Sequence, residues 1–138
     1  MTIHAFIDGA SRNNPGESGI GIILKDERGV TVEKVCGYIG KATNNIAEYT
    51  ALLTCLKIVA KMECRKLLVH SDSELMVKQM RGEYRVKDAA LKRHFQKAHT
   101  MLQKAGFEFE IRHVLREQNK EADQLANLGI DSKRRVIV

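Results

Sequence analysis

The spacing of apolar residues along this chain changes several times, and each rhythm marks an element. Between residues 2 and 8, Ile3, Ala5 and Ile7 alternate with His4, Phe6 and Asp8, so apolar groups fall on both faces. A strand apolar on both faces belongs in the middle of a sheet. The stretch is predicted as a central strand running straight into a bare carboxylate and a glycine. Residues 19–25 and 30–37 read as two further strands, and short turns join the three into an antiparallel meander. Gly19 and Gly21 within the second strand point to close backbone packing or a bulge.

The rhythm then becomes helical. Over about 45–61, Ile46, Tyr49, Leu52, Leu53, Leu56 and Ala60 recur at helical spacing. Residues 66–71 form a fourth strand leading into Asp72, and Ser71-Asp72-Ser73-Glu74 resembles a capping box opening a helix to about Met80. After Gly82, Asp88 can cap a long helix striped by Leu91, Phe95, Ala98, Leu102 and Ala105, with Gly106 at its end. Residues 107–113 alternate strictly and read as a fifth strand; from Asn119 a last helix carries Ala122, Leu125, Ala126 and Leu128.

The order β-β-β-α-β-α-α-β-α predicts an α/β fold, a five-stranded mixed sheet with helices on both faces. It is expected to form one domain over residues 1–138, with 130–138 as a C-terminal tail. In that tail Lys133-Arg134-Arg135 precedes Val136-Ile137-Val138. The segment either docks by its apolar end or frays, and docking is the favoured reading.

Composition narrows the class. With 138 residues, 43% of them hydrophobic, the chain can bury a real core. No apolar run approaches the roughly 18–20 residues of a membrane span, and the N-terminus lacks the basic-then-apolar pattern of a signal peptide. Cys36, Cys55 and Cys64 make an odd count without a C-x-x-C pair, so reduced thiols and a cytoplasmic location are expected. Net charge is +6, and the stretch from Lys78 to Lys104 carries eight basic residues against Glu83 and Asp88. That stretch is either a solvated helix face or a surface for a polyanion.

In a basic protein, four acids stand in awkward places. Asp8 ends the central strand, where open sheets build their sites. Glu48 shares a helix line with Leu52, Cys55 and Val59, the buried side. Asp72 follows the fourth strand, although acids are favoured near any helix N-terminus. Asp123 lies on the line of Ala126 and Ile130 in the last helix, although it could simply face solvent. Each is ordinary alone; together they sit at the ends of two central strands and on two packed helices.

At these positions the chain resembles the type 1 ribonucleases H. The matching segments are FIDGASRNNPG around Asp8, TNNIAEYTALL around Glu48, HSDSELMVKQM around Asp72 and REQNKEADQLAN around Asp123. The resemblance runs from about residue 2 to 129. It implies a ribonuclease H-like fold and an acidic tetrad of Asp8, Glu48, Asp72 and Asp123. It also implies a metal-dependent endonuclease that hydrolyses the RNA strand of RNA/DNA hybrids, leaving 3′-hydroxyl and 5′-phosphate ends. All-oxygen ligation suits two Mg²⁺ ions, with Mn²⁺ as a substitute, about 4 Å apart. Asp8 is expected to bridge both ions and Asp72 to bind the activating one. Glu48 would serve the other ion and an RNA 2′-hydroxyl, with Asp123 held more loosely.

The resemblance further places Asn14, Asn44 and Asn45 in the hybrid's minor groove and Thr43 on a DNA phosphate. Amide side chains suit such contacts, although Asn14 and Asn44 also fit turn and cap chemistry. Two departures stand out. Segment 81–87 is too short for the basic, tryptophan-rich helix of many members, and the chain has no tryptophan. That points to the handle-less branch, without the basic protrusion. The loop before Asp123 carries Arg116 where members often have a mobile histidine, with His113 as its rival for that role. The protein is expected to act as a monomer on hybrid duplexes, without a membrane. Cleavage of duplex RNA, or a non-catalytic nucleic-acid-binding module on the same fold, are the alternatives.

Overall fold

The computed structural model describes residues 1–137. Its elements are β1 (Thr2–Ser11), β2 (Gly16–Lys25), β3 (Thr31–Ala42), α1 (Asn44–Val59), β4 (Lys66–Ser71), α2 (Glu74–Met80), α3 (Ala89–Lys104), β5 (Glu108–His113), a 3₁₀ turn (Arg116–Gln118) and α4 (Lys120–Ser132). The strands form one mixed sheet in the order β3-β2-β1-β4-β5, the ribonuclease H-like α/β fold expected. β1 is antiparallel to β2 and parallel to β4, and so lies at the centre.

The alternation in β1 is read out on two faces. Ile3, Ala5 and Ile7 join Ile20, Ile22, Leu24, Leu67 and Val69 in a core with Tyr49, Leu52 and Leu56 of α1. The opposite face belongs to α4, and small residues make that approach possible. A Cβ on Gly21 would strike the backbone of Ala122 and Ala126, and one on Gly19 the backbone of Ala126 and Ile130. The close packing expected of these two glycines is therefore packing against α4. Beyond α4, the same face carries a stack in which the His70 ring lies between His4 and Phe6, with centroids 5.4 and 4.5 Å away.

Several boundaries differ from the sequence reading. β3 continues five residues past Gly37 because its glycines bend the strand rather than end it. Ser18 pairs with Gly40 and Gly19 with Tyr38, so the register skips Ile39, and Gly40 takes φ +81°. The cap of α2 is Ser73, whose hydroxyl accepts from the Met76 N–H, while Ser71 Oγ accepts from the Ser73 N–H. α4 runs to Ser132, since Ile130 is fully buried, so the tail begins at Lys133 rather than residue 130. Leu128 is 53% exposed and does not belong to the buried stripe.

The tail docks. Lys133 takes a left-handed conformation (φ 56°) that turns the chain across β3, where Tyr38 N–H donates to Arg134 O at 2.7 Å. Val136 packs on the core, whereas Ile137 is 97% exposed and Val138 lies outside the described residues. Among the described residues, no helix is long and apolar enough to cross a membrane.

Candidate active site

Pairing between β1 and β4 ends at Ile7 and Ser71. Beyond that point β1 has no strand neighbour on its β4 side, and the gap is where the acids meet. With β4 stopped, the Gly9 N–H is taken instead by Glu48 Oε1 of α1, at 2.6 Å. Asp72 is the first residue after β4 and enters the same gap. A carboxylate oxygen from each of Asp8, Glu48 and Asp72 lies within 4.8 Å of the others.

Asp123 approaches from the α4 side. It lines the same cleft of about 460 Å³ and helps raise the Asp8 carboxyl, but stands outside the three-oxygen cluster. Asn119 fixes that approach: its Nδ2 donates to Ile7 O at 2.8 Å, one residue before Asp8. Asn119 occupies the N-cap position of α4 without a side-chain capping bond; its side chain bolts α4 to β1 instead.

The electrostatics follow from burial. Asp8 is 5% and Glu48 8% exposed. Burial first, then the charges of Glu48, Asp72 and Asp123, push the Asp8 carboxyl up to about 10. Burial first, then Asp72, push Glu48 up to about 8, against the lowering effects of the Gly9 N–H, Asp8 and Arg116. Such a cluster cannot be fully ionised near neutrality without a counter-charge. An all-oxygen set with that deficit suits a hard divalent cation of the Mg²⁺ type, not zinc.

The remaining predicted residues surround the acids. Arg116 lines the acidic cleft, is exposed, and forms no ion pair with Glu117 or Glu121; Glu121 pairs with Lys34 instead. His113 lines a different cleft, at the free edge of β5. Thr43 caps α1, its hydroxyl accepting from the Ile46 N–H at 3.2 Å. Asn44 and Asn14 staple the turns together. Asn44 Oδ1 accepts from the Ser11 N–H and Asn14 Oδ1 from the Asn44 N–H, both at 2.9 Å. Because backbone N–H groups occupy the oxygens, the amide Nδ2 groups of both residues are left as donors. Asn45 is exposed beside them.

Two lining residues escaped the sequence reading. Arg12 is pinned to α4 by Asp131 at 2.8 Å, and Asn127 Nδ2 donates to Asp123 O at 3.1 Å. The i, i+4 spacing of Asn127 from Asp123 was the only available signal.

A family model described as reverse transcriptase-like matches residues 6–129. The chain is 39% identical over 130 residues to ribonuclease HI of Halobacterium salinarum, covering 94% of this chain and 64% of that protein. It is 35% identical over 137 residues to the bifunctional protein Rv2228c of Mycobacterium tuberculosis, covering 96% of this chain and 36% of that protein. Among solved structures, LC11-RNase H1 in complex with an RNA/DNA hybrid superposes with a TM-score of 0.90 at 39% identity, covering 94% and 97% of the two chains. The chain thus spans about two thirds of the halobacterial relative and about a third of the mycobacterial one.

Proposed function

This chain belongs to the type 1 ribonuclease H family, and on that premise we propose that it is a metal-dependent endonuclease hydrolysing the RNA strand of RNA/DNA hybrids. The observation that carries this reading is the cluster of Asp8, Glu48 and Asp72 at the gap between β1 and β4. A fold freed from catalysis has no use for two buried carboxyls held in mutual repulsion. The hybrid bound by LC11-RNase H1 supports the substrate class.

Asp8, Glu48, Asp72 and Asp123 would hold two Mg²⁺ ions, or Mn²⁺ in their place, with Asp8 shared and Asp123 the looser ligand. Bound there, the ions would supply the missing counter-charge, polarise the attacking water and stabilise the leaving 3′ oxygen. The products would carry 3′-hydroxyl and 5′-phosphate ends. The Arg116 guanidinium, charged at any working pH, would grip the phosphate as its charge develops. The free Nδ2 groups of Asn14 and Asn44 match the acceptors that base edges present in a minor groove, and Asn45 extends that row. Thr43 accepts from the Ile46 N–H, which leaves its hydroxyl proton for a DNA phosphate.

Only eight residues, 81–88, separate α2 from α3, and none is helical. This supports placing the protein in the branch without the basic protrusion. Its three free cysteines suit a reducing, cytoplasmic setting, and one sheet with one core suits a single-domain monomer.

Cleavage of end-labelled RNA/DNA hybrid, duplex RNA and duplex DNA, each with Mg²⁺ and with Mn²⁺, tests the proposal. Cutting confined to the RNA of the hybrid is expected. No cutting under any condition would leave a binding module.

A further inference from the structure

A second cleft, of about 550 Å³, adjoins the acidic one. Arg12 lines both, and Lys41 and Lys133 line the second with one acid, Glu17. The three cations come from separate parts of the chain: the β1–β2 turn, the end of β3 and the C-terminal tail. Each tail contact has a built geometry. Lys133 Nζ lies 3.4 Å from Glu17 Oε2 and 4.7 Å from the Tyr38 ring centroid. The Tyr38 hydroxyl donates to the same Glu17 carboxylate, and the Arg135 guanidinium stands 5.5 Å from the same ring. Arg12 is oriented by Asp131 at 2.8 Å and by Asn127 at 3.4 Å.

Exposed ion pairs of this kind contribute little to stability. What they do accomplish is to hold Arg12 and Lys133 at defined places beside the acids, with Lys41 lining the same cleft. We infer that this cleft binds the phosphate backbone of the strand being cut, with Lys133 of the tail as a substrate-binding residue. The inference rests on the hybrid-cleavage reading. A strand whose phosphate sits over Asp8 must leave the cleft past one of its walls. The carboxylate walls repel it, whereas the wall at Arg12 opens onto Lys41 and Lys133. Asp131 and Asn127 engage Nη1 and Nη2, and the guanidinium still has N–H groups free for a phosphate. Such contacts position a backbone and read no sequence, so the effect should be the same for any hybrid sequence.

The test uses the full chain with Lys133→Gln and Lys133→Glu, and Lys61→Glu as a charge-matched control in the turn after α1. Hybrid binding is measured across a salt series in an Asp8→Asn background, and KM is measured in the cleaving protein. Lys133→Gln should lower the slope of log K against log salt by about one, the share of one phosphate contact, and Lys133→Glu should weaken binding about threefold or more. A neutral methylphosphonate at successive RNA linkages should weaken binding by the unmodified Lys133 protein at one or two positions, and there leave Lys133→Gln unaffected. Identical behaviour of Lys133→Glu and Lys61→Glu, with melting curves unchanged, would overturn the inference. So would coupling absent at every RNA linkage and found only in a parallel series with the methylphosphonate in the DNA strand. If the wild type cuts no hybrid, the functional reading fails and this inference falls with it. If it cuts normally and the Lys133 variants are silent, this inference alone is wrong.

Discussion

The Gly9 N–H donates to Glu48 Oε1 at 2.6 Å, joining the end of the central strand to the first turns of α1. The bond depends on Gly9 having no side chain, because a Cβ there would strike the backbone of Ala47 and Glu48. Gly9→Ala should push α1 away from β1 and move Glu48 out of the acidic cluster. A displacement of about 1 Å can cost on the order of 10²-fold in rate, and the strain should cost about 1–3 kcal/mol. Hybrid-cleavage rates and a thermal melt would show both losses together. A melt unchanged from wild type would mean that the helix has room to spare.

Asp8→Asn should separate stability from activity. The substitution removes a carboxyl whose ionisation is made costly by burial and by the neighbouring Glu48 and Asp72. Without added metal at pH 8, the melting midpoint should rise by roughly 5 °C, while cleavage falls to background. Retention of more than a small fraction of wild-type activity would rule out Asp8 as the shared metal ligand.

The metal-free protein should lose stability as pH rises. Asp8 and Glu48, with ordinary values of 3.8 and 4.5, are raised to about 10 and about 8 in the fold. Between those limits the folded chain holds protons that the unfolded chain has released. The stabilisation is complete below about pH 4 and is lost as pH climbs through 8 to 10. Melts in a chelator from pH 5 to 9 should therefore show a falling midpoint, a smaller fall in Asp8→Asn, and recovery on adding Mg²⁺ at pH 8. A flat metal-free profile would contradict the buried-carboxylate picture.

Arg116 rather than His113 should assist catalysis. Arg116 lines the acidic cleft and is among the charges acting on Glu48, whereas His113 lies at the β5 edge. Arg116→Ala should lower kcat by roughly 10²-fold or more, the scale of losing one transition-state donor, with the melt unchanged. Arg116→Lys should recover only part, since a point charge replaces a fork. A larger loss from His113→Ala would reverse the assignment.

Hybrid affinity should also draw on the basic stretch. Lys78 and Arg81 are paired with Glu74 and Glu83, but among the described residues Arg85, Lys87, Lys92, Arg93 and Lys97 have no acidic partner. Arg85→Ala with Lys92→Ala should shallow the salt slope by up to about two units. An unchanged slope would mark the stretch as a solvated face.

The amino-acid sequence determined much of the local structure. Apolar spacing, together with turn and capping signals, located all five strands and four helices, because spacing records which face a segment buries. Asp88 capping α3, accepting from the Ala90 and Leu91 N–H groups, was legible for the same local reason. The acids stood out individually because a charge on an apolar line is costly unless used. Periodicity does not say what a buried face is buried against, and there the tertiary structure decided. The end of β4 at Ser71 opens the gap in which Asp8, Glu48 and Asp72 meet. Asn119 binds Ile7 across 112 positions, Arg12 reaches Asp131 across 119, and Tyr38 receives a tail nearly a hundred residues away. None of these contacts repeats at a fixed spacing. They exist because parallel pairing and helix packing bring distant segments together, and local residue preferences carry no trace of which segments those are.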